Sequence, residues 1–249
     1  MLEYLTISEL LIIWFGIAVA YIIFGISGFG TALIASPMLT LFLPVDKIIP
    51  LLALLDCSAA ITNVAREFRH ADAVEIKRLI PFMIIGSLLG AGILLFSRPD
   101  SLLLALGLFV IAYSLYSISG IKPIKTFSPK AAVPFGFIGG IFSALFGSGG
   151  FVYAIYLAGR IEDKNRFRIT QTTLIGFSTF TRVMIFLFAG VYSDSWFILT
   201  ALLLFPAMLI GTYTGRRITV NMSRQNFLRF INAIIFFSGF VLLIRYFAL

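Results

Sequence analysis

Apolar runs at roughly 8–26, 29–43, 47–68, 75–97, 101–119, 131–146, 149–159, 169–190, 196–216 and 225–247, parted by short loops, restrict this chain to one kind of fold. A helix of about 20 apolar residues crosses the roughly 30 Å of hydrocarbon in a bilayer, where only helices and closed barrels satisfy the backbone. Barrel strands alternate in polarity, and stretches such as Leu102 to Val110 do not. Only 12% of the residues are charged, about half the share of a soluble domain, and the mean hydropathy is +1.04. The expected fold is all-α, a polytopic membrane protein embedded in the lipid bilayer. The first run lacks a basic flank and outlasts a signal-peptide core, so no cleavable signal is expected.

The runs repeat. Pro81-Phe-Met83-Ile-Ile-Gly86-Ser-Leu-Leu-Gly90-Ala-Gly-Ile93 returns 125 positions later as Pro206-Ala-Met208-Leu-Ile-Gly211-Thr-Tyr-Thr-Gly215-Arg-Arg-Ile218. An offset of 119 lays Gly28-Phe29-Gly30 on Gly147-Ser148-Gly149. Two repeats are therefore expected, 1–120 and 121–249, within one integrated transport domain. The runs 29–43 and 149–159 are short for a span, and each follows a glycine turn without charge. Segments 8–43 and 131–159 read as hairpins that enter and leave on one side, each followed by three spanning helices.

The basic residues give an independent reading. Arg66, Arg69, Lys77, Arg78, Lys122, Lys125, Lys130, Arg160, Lys164, Arg166, Arg168, Arg216, Arg217 and Arg224 fall on one side of that topology. Lys47, Arg98 and Arg245 fall on the other, and Arg182 and Arg229 lie within helices. The positive-inside rule places the first group in the cytoplasm, with both termini external, in a plasma (inner) membrane. A hairpin plus three crossings then inverts the second repeat relative to the first. The net charge of +8 is spread over separate loops, which argues against a nucleic-acid partner. The lone Cys57 and lone His70 supply neither a disulfide nor a metal site, and no cofactor is expected.

Inverted halves with broken helices at matched positions mark secondary transporters. Glycine lets the backbone reverse and a ligand approach it, and a helix starting in mid-membrane offers N–H groups and a positive dipole end to an anion. The candidate substrate-binding residues are Ser27, Gly28, Phe29, Gly30 and Thr31 in the first turn and Gly147, Ser148, Gly149 and Gly150 in the second. Asn63, Ser178, Thr181 and Arg182 join them, because ionisable and polar groups in a bilayer are costly without a role. In the 119 register Asn63 overlays Arg182, whose guanidinium fork suits an oxyanion. Asp56 is a candidate for proton coupling, or a static partner of Arg182. The alternative for the glycines is tight helix packing, as expected for Gly86/Gly90, Gly136/Gly140 and Gly211/Gly215 at GxxxG spacing.

The segments Phe24-Gly-Ile-Ser-Gly-Phe-Gly-Thr-Ala-Leu-Ile-Ala-Ser-Pro37 and Ile141-Phe-Ser-Ala-Leu-Phe-Gly-Ser-Gly-Gly-Phe151 resemble the duplicated glycine motif of the TauE/SafE family. These are sulfite and organosulfonate exporters, and the resemblance covers the whole chain. The family follows its glycines with a short apolar run and proline; here Pro37 fits and Tyr156 stands in the second copy. The resemblance implies a sulfur oxyanion or sulfonate as substrate and export as the direction. The residues alone say only "small anion". Carrier and anion channel, the latter with the glycine hairpins lining a pore, both stay open, with the chain acting singly or as a homo-oligomer. An enzyme is not expected, for no paired catalytic groups lie in the spans and no Gly-x-x-x-x-Gly-Lys-[Ser/Thr] occurs.

Overall fold

The computed structural model describes residues 7–27, 30–97, 99–118 and 126–218, with isolated positions 240, 243, 244 and 247. Among the described residues the secondary structure is helical: α1 (Ile7–Ser27), α2 (Thr31–Leu39), α3 (Val45–Glu67), α4 (Ala73–Phe96), α5 (Pro99–Ile118), α6 (Ala132–Phe146), α7 (Gly150–Ala158), α8 (Lys164–Phe188) and α9 (Ser195–Ile218). Four stretches there are long and apolar enough to cross a membrane: Ala73–Phe96, Pro129–Phe146, Ile169–Phe188 and Ser195–Gly215. The expected run 225–247 lies almost wholly outside the described residues.

The short runs are short helices of nine residues, α2 and α7. Gly30 precedes α2 with φ 92°, and Gly147 closes α6 with φ 64°, a region L side chains avoid. α8 begins five residues before the apolar run, because the Asp163 carboxylate caps it by accepting from the Arg166 N–H at 2.7 Å. Asp72 caps α4 in the same way, accepting from the N–H groups of Val74 and Glu75.

The helices fall into two compact units, Met1–Leu51 with Phe96–Ile121 and Ser195–Leu249, and Leu52–Leu95 with Lys122–Asp194. Each unit takes elements from both sequence repeats. In the first, α1 packs along α9 and α2 folds back against α1. A β-carbon at Gly211 or Gly215 would collide with the Ala18 or Ile22 carbonyl of α1. In the second, a β-carbon at Gly86 or Gly90 of α4 would collide with the Phe137 or Ile141 carbonyl of α6, the latter at 2.6 Å. The glycine pairs are 125 residues apart, and their partners, Ala18 with Phe137 and Ile22 with Ile141, are 119 apart. α4 and α9, which carry the matched glycine pairs, thus press closely on α6 and α1 respectively.

Candidate functional site

The second glycine turn lies in the second unit and ends α6 with two main-chain hydrogen bonds. The Gly147 N–H donates to the Ser143 carbonyl at 2.9 Å, and the Ser148 N–H donates to the Phe142 carbonyl at 3.3 Å. The Ser143 carbonyl also accepts from Arg182 Nη1 at 2.9 Å, so the arginine of α8 holds the broken end of α6. Arg182 Nη2 donates to Asp56 Oδ2 of α3 at 3.1 Å. Arg182 is 1% exposed and Asp56 4%. Arg182 does not snorkel to the membrane interface, because its charge is paired inside the protein.

Hydroxyl groups extend the network. Ser178, one turn before Arg182, donates to the Ser143 hydroxyl at 2.7 Å. That leaves the Tyr153 hydroxyl as donor of its 3.3 Å bond to Ser178. The Tyr153 ring passes against Gly139, where any β-carbon would strike it. Two polar atoms in this region are buried without a hydrogen-bond partner, Arg182 Nε and Ser148 Oγ. Buried donors are nearly always satisfied, so two orphans at one turn ask for an explanation.

The expected residues divide as follows. Ser178 and Arg182 meet at the Ser143 end of the turn, Ser148 is buried on it, and Thr181 is half-buried on α8. Gly149 presses against the Gly139 carbonyl of α6, leaving no room for a side chain; Gly150 starts α7. The first turn belongs to the other unit, where Thr31 is buried at the start of α2 beside Gly30. Gly28 and Phe29 lie outside the described residues, as do the side chains of Ser27 and Asn63. Sequence reasoning missed Ser143 and Tyr153. Ser143 carried a signal, a hydroxyl four residues before the turn glycine; Tyr153 carried none.

A second buried cluster was also missed. Glu75 of α4 accepts from Arg78 Nη1 at 2.6 Å, from Arg160 Nη2 at 2.8 Å and Nε at 3.1 Å, and from the Tyr156 hydroxyl at 2.6 Å. Arg160 also donates to the Phe127 carbonyl at 3.0 Å. The bonds to Glu75 raise the Arg160 guanidinium further above its ordinary pKa. Tyr156, which departs from the family pattern, therefore ties the far end of α7 to the start of α4.

A groove of about 400 Å³ opens between α3 and α8, lined by Cys57, Ile61, Phe177 and Phe180 among others. Phe177 and Phe180 project from nearly the opposite side of α8 to Ser178 and Arg182. Its apolar walls offer an anion no compensation for lost water, so the polar network and not the groove is the candidate site. Among the described residues no group of three or more His, Cys, Asp or Glu could hold a metal ion.

The sequence model of the family described as Sulfite exporter TauE/SafE matches residues 12–242. The chain belongs to that family. No curated protein and no solved structure matches it. Membership makes the protein a membrane transporter and implies an anionic sulfur compound as its substrate. The buried cation at a broken helix end is the feature of this chain best suited to such an anion.

Proposed function

We propose that the protein is a secondary carrier that moves a small anion, sulfite or an organosulfonate, across the membrane by alternating access. The observation that carries this reading is Arg182, a guanidinium buried in a membrane protein with its Nε unpartnered beside a glycine turn. Keeping a charge there costs several kcal/mol and calls for a function. The orphan Nε and the orphan Ser148 hydroxyl are donors that an oxyanion would accept from, and the first N–H groups of α7 add to them. Gly147, Ser148, Gly150, Ser178, Thr181 and Arg182 make up the site in the second unit. By the repeat correspondence, Ser27–Thr31 is proposed as an anion-facing helix start in its own right. The inverted topology, with basic loops cytoplasmic, is part of the same proposal and rests on the charge count and the repeat.

The test is ligand-dependent thermal stabilisation of the purified protein against sulfite, sulfate, thiosulfate, taurine, sulfoacetate, acetate and chloride, with Arg182→Ala measured against its own baseline. Stabilisation by sulfur oxyanions alone, lost in the variant, supports the site. No shift with any anion, or an unchanged shift in the variant, refutes it. In vesicles, saturable counterflow identifies a carrier, whereas ohmic current identifies the channel instead.

A further inference from the structure

The guanidinium of Arg182 is only half used on one of its edges. Nε and Nη2 form a fork that fits two oxygens of a carboxylate, sulfite or sulfonate. Asp56 takes one tooth of that fork, Nη2, through a single oxygen, Oδ2. The adjacent Nε is buried and unpartnered. Nη1 is spent on the Ser143 carbonyl, so an arriving oxyanion has the Nε–Nη2 edge to bind and meets Asp56 there.

A singly charged anion, bisulfite or a sulfonate, added to the existing pair would leave the pocket with one net negative charge away from water. Resting on the reading of Arg182 as the anion site, we propose that Asp56 and the transported anion compete for the Nε–Nη2 edge of Arg182, and that the displaced Asp56 takes up one proton from solvent. The proton returns to solvent when the anion leaves and Oδ2 regains Nη2. Anion and proton therefore bind together, and the occupied site carries the same net charge as the empty one. A buried carboxylate robbed of its cation strongly favours the neutral acid, which is what drives the uptake.

Among the described residues, the groups facing Arg182 allow this assignment to Asp56. From α3 come Asp56 and Cys57, from α7 Tyr153, and from the turn after α8 Tyr192. α6 brings the Ser143 carbonyl and hydroxyl, which do not titrate. A thiol and two phenols ordinarily titrate above neutrality and are protonated before the anion arrives, so the carboxylate is the group able to gain a proton.

Calorimetric titration of the wild type with sulfite and with methanesulfonate, in buffers of differing ionisation heat, counts the protons taken up. Methanesulfonate holds no proton in the neutral range, and the protons carried by sulfite follow from its own titration. The expected result is uptake of about one proton per anion, with affinity tightening about tenfold per pH unit lowered. Asp56→Asn should bind with no uptake and no pH slope. Wild-type binding without proton uptake overturns the proposal alone, whether or not Asp56→Asn folds, as does a wild-type slope kept in that variant. Failure of both anions to bind at any pH refutes the anion site beneath it as well.

Discussion

Removing Arg182 should unfold this protein more readily than any other single truncation in the second unit, by an amount the geometry fixes. The pair is 3.1 Å apart with side chains 1% and 5% exposed. At an effective dielectric near 20, charges at that distance attract by about 5 kcal/mol. Arg182→Ala takes the guanidinium away from the buried Asp56 carboxylate, a change that costs about 3–5 kcal/mol in comparable pairs. The Ser143 carbonyl adds little to the loss, because it keeps the Gly147 N–H. Chains of this size lose about 2–4 °C in Tm per kcal/mol, so a fall of about 6–20 °C is expected. Asp56→Ala should cost a similar amount by stranding the cation, while the double variant buries neither charge and recovers at least about 2 kcal/mol of the summed loss. The assay is thermal unfolding in detergent followed by a thiol-reactive fluorogenic dye, since the single cysteine, Cys57, lies half-buried next to Asp56. Additive single losses, or an unchanged Tm in Arg182→Ala, would show that the pair is not coupled and that the reasoning is wrong.

Further outcomes can be checked by melts of the purified protein and, for sidedness, by labelling in cells. Gly140→Ala and Gly215→Ala each drive a β-carbon into a backbone carbonyl, Met83 and Ile22 respectively, and should cost about 1–3 kcal/mol or more. Gly92→Ala meets nothing within 4 Å and should be neutral or gain up to about 1 kcal/mol in the same melts; equal losses at all three positions would refute the packing account. Glu75→Gln removes the charge that binds Arg160, a group 24% exposed and so partly screened, and should lower stability by about 1–3 kcal/mol, with Tyr156→Phe costing about 1. Burial raises the Tyr192 phenol above its ordinary pKa, so stability is full below about pH 10 and falls as pH rises beyond it; Tyr192→Phe should flatten that limb of a Tm-against-pH curve. In a Cys57→Ala background, an impermeant maleimide should label Ser193→Cys on intact cells and Lys130→Cys only after permeabilisation, and the reverse pattern overturns the proposed sidedness.

The helices were legible because apolar length and glycine turns are local signals. Nine expected runs coincide with α1 to α9, and the largest misfit, the start of α8, came from Asp163 capping a charged first turn that hydropathy scores as loop. Arg182 and Asp56 were legible singly as charges within apolar runs. Their pairing joins residues 126 positions apart, and that of Glu75 with Arg160 joins residues 85 apart. No periodicity within one helix reports such a contact. Tyr153 was hidden for a different reason: its ring packs against Gly139 to bring the hydroxyl to Ser178, and in sequence it is one aromatic among many.

The two repeats share their backbone contacts and differ in their polar chemistry, and the difference has a physical source. Gly86 and Gly90 meet Phe137 and Ile141 as Gly211 and Gly215 meet Ala18 and Ile22, contacts between bare backbone that leave no room for a side chain in either copy. Polar clusters obey no such constraint, because a site can be built or dismantled by exchanging side chains around an unchanged backbone. The positions matched to Glu75, Tyr156 and Arg160 hold Thr200, Pro37 and Leu41, with the Thr200 hydroxyl buried and unpartnered. Where one copy has Arg182, the 119 register gives Asn63. The duplicated part of the sequence therefore encodes how the helices grip each other, and the unduplicated part encodes the charge. A chain with two glycine turns but, among the described residues, one fully buried guanidinium is expected to bind one anion per chain, so a calorimetric stoichiometry of two would show that the first turn supplies a site without an arginine.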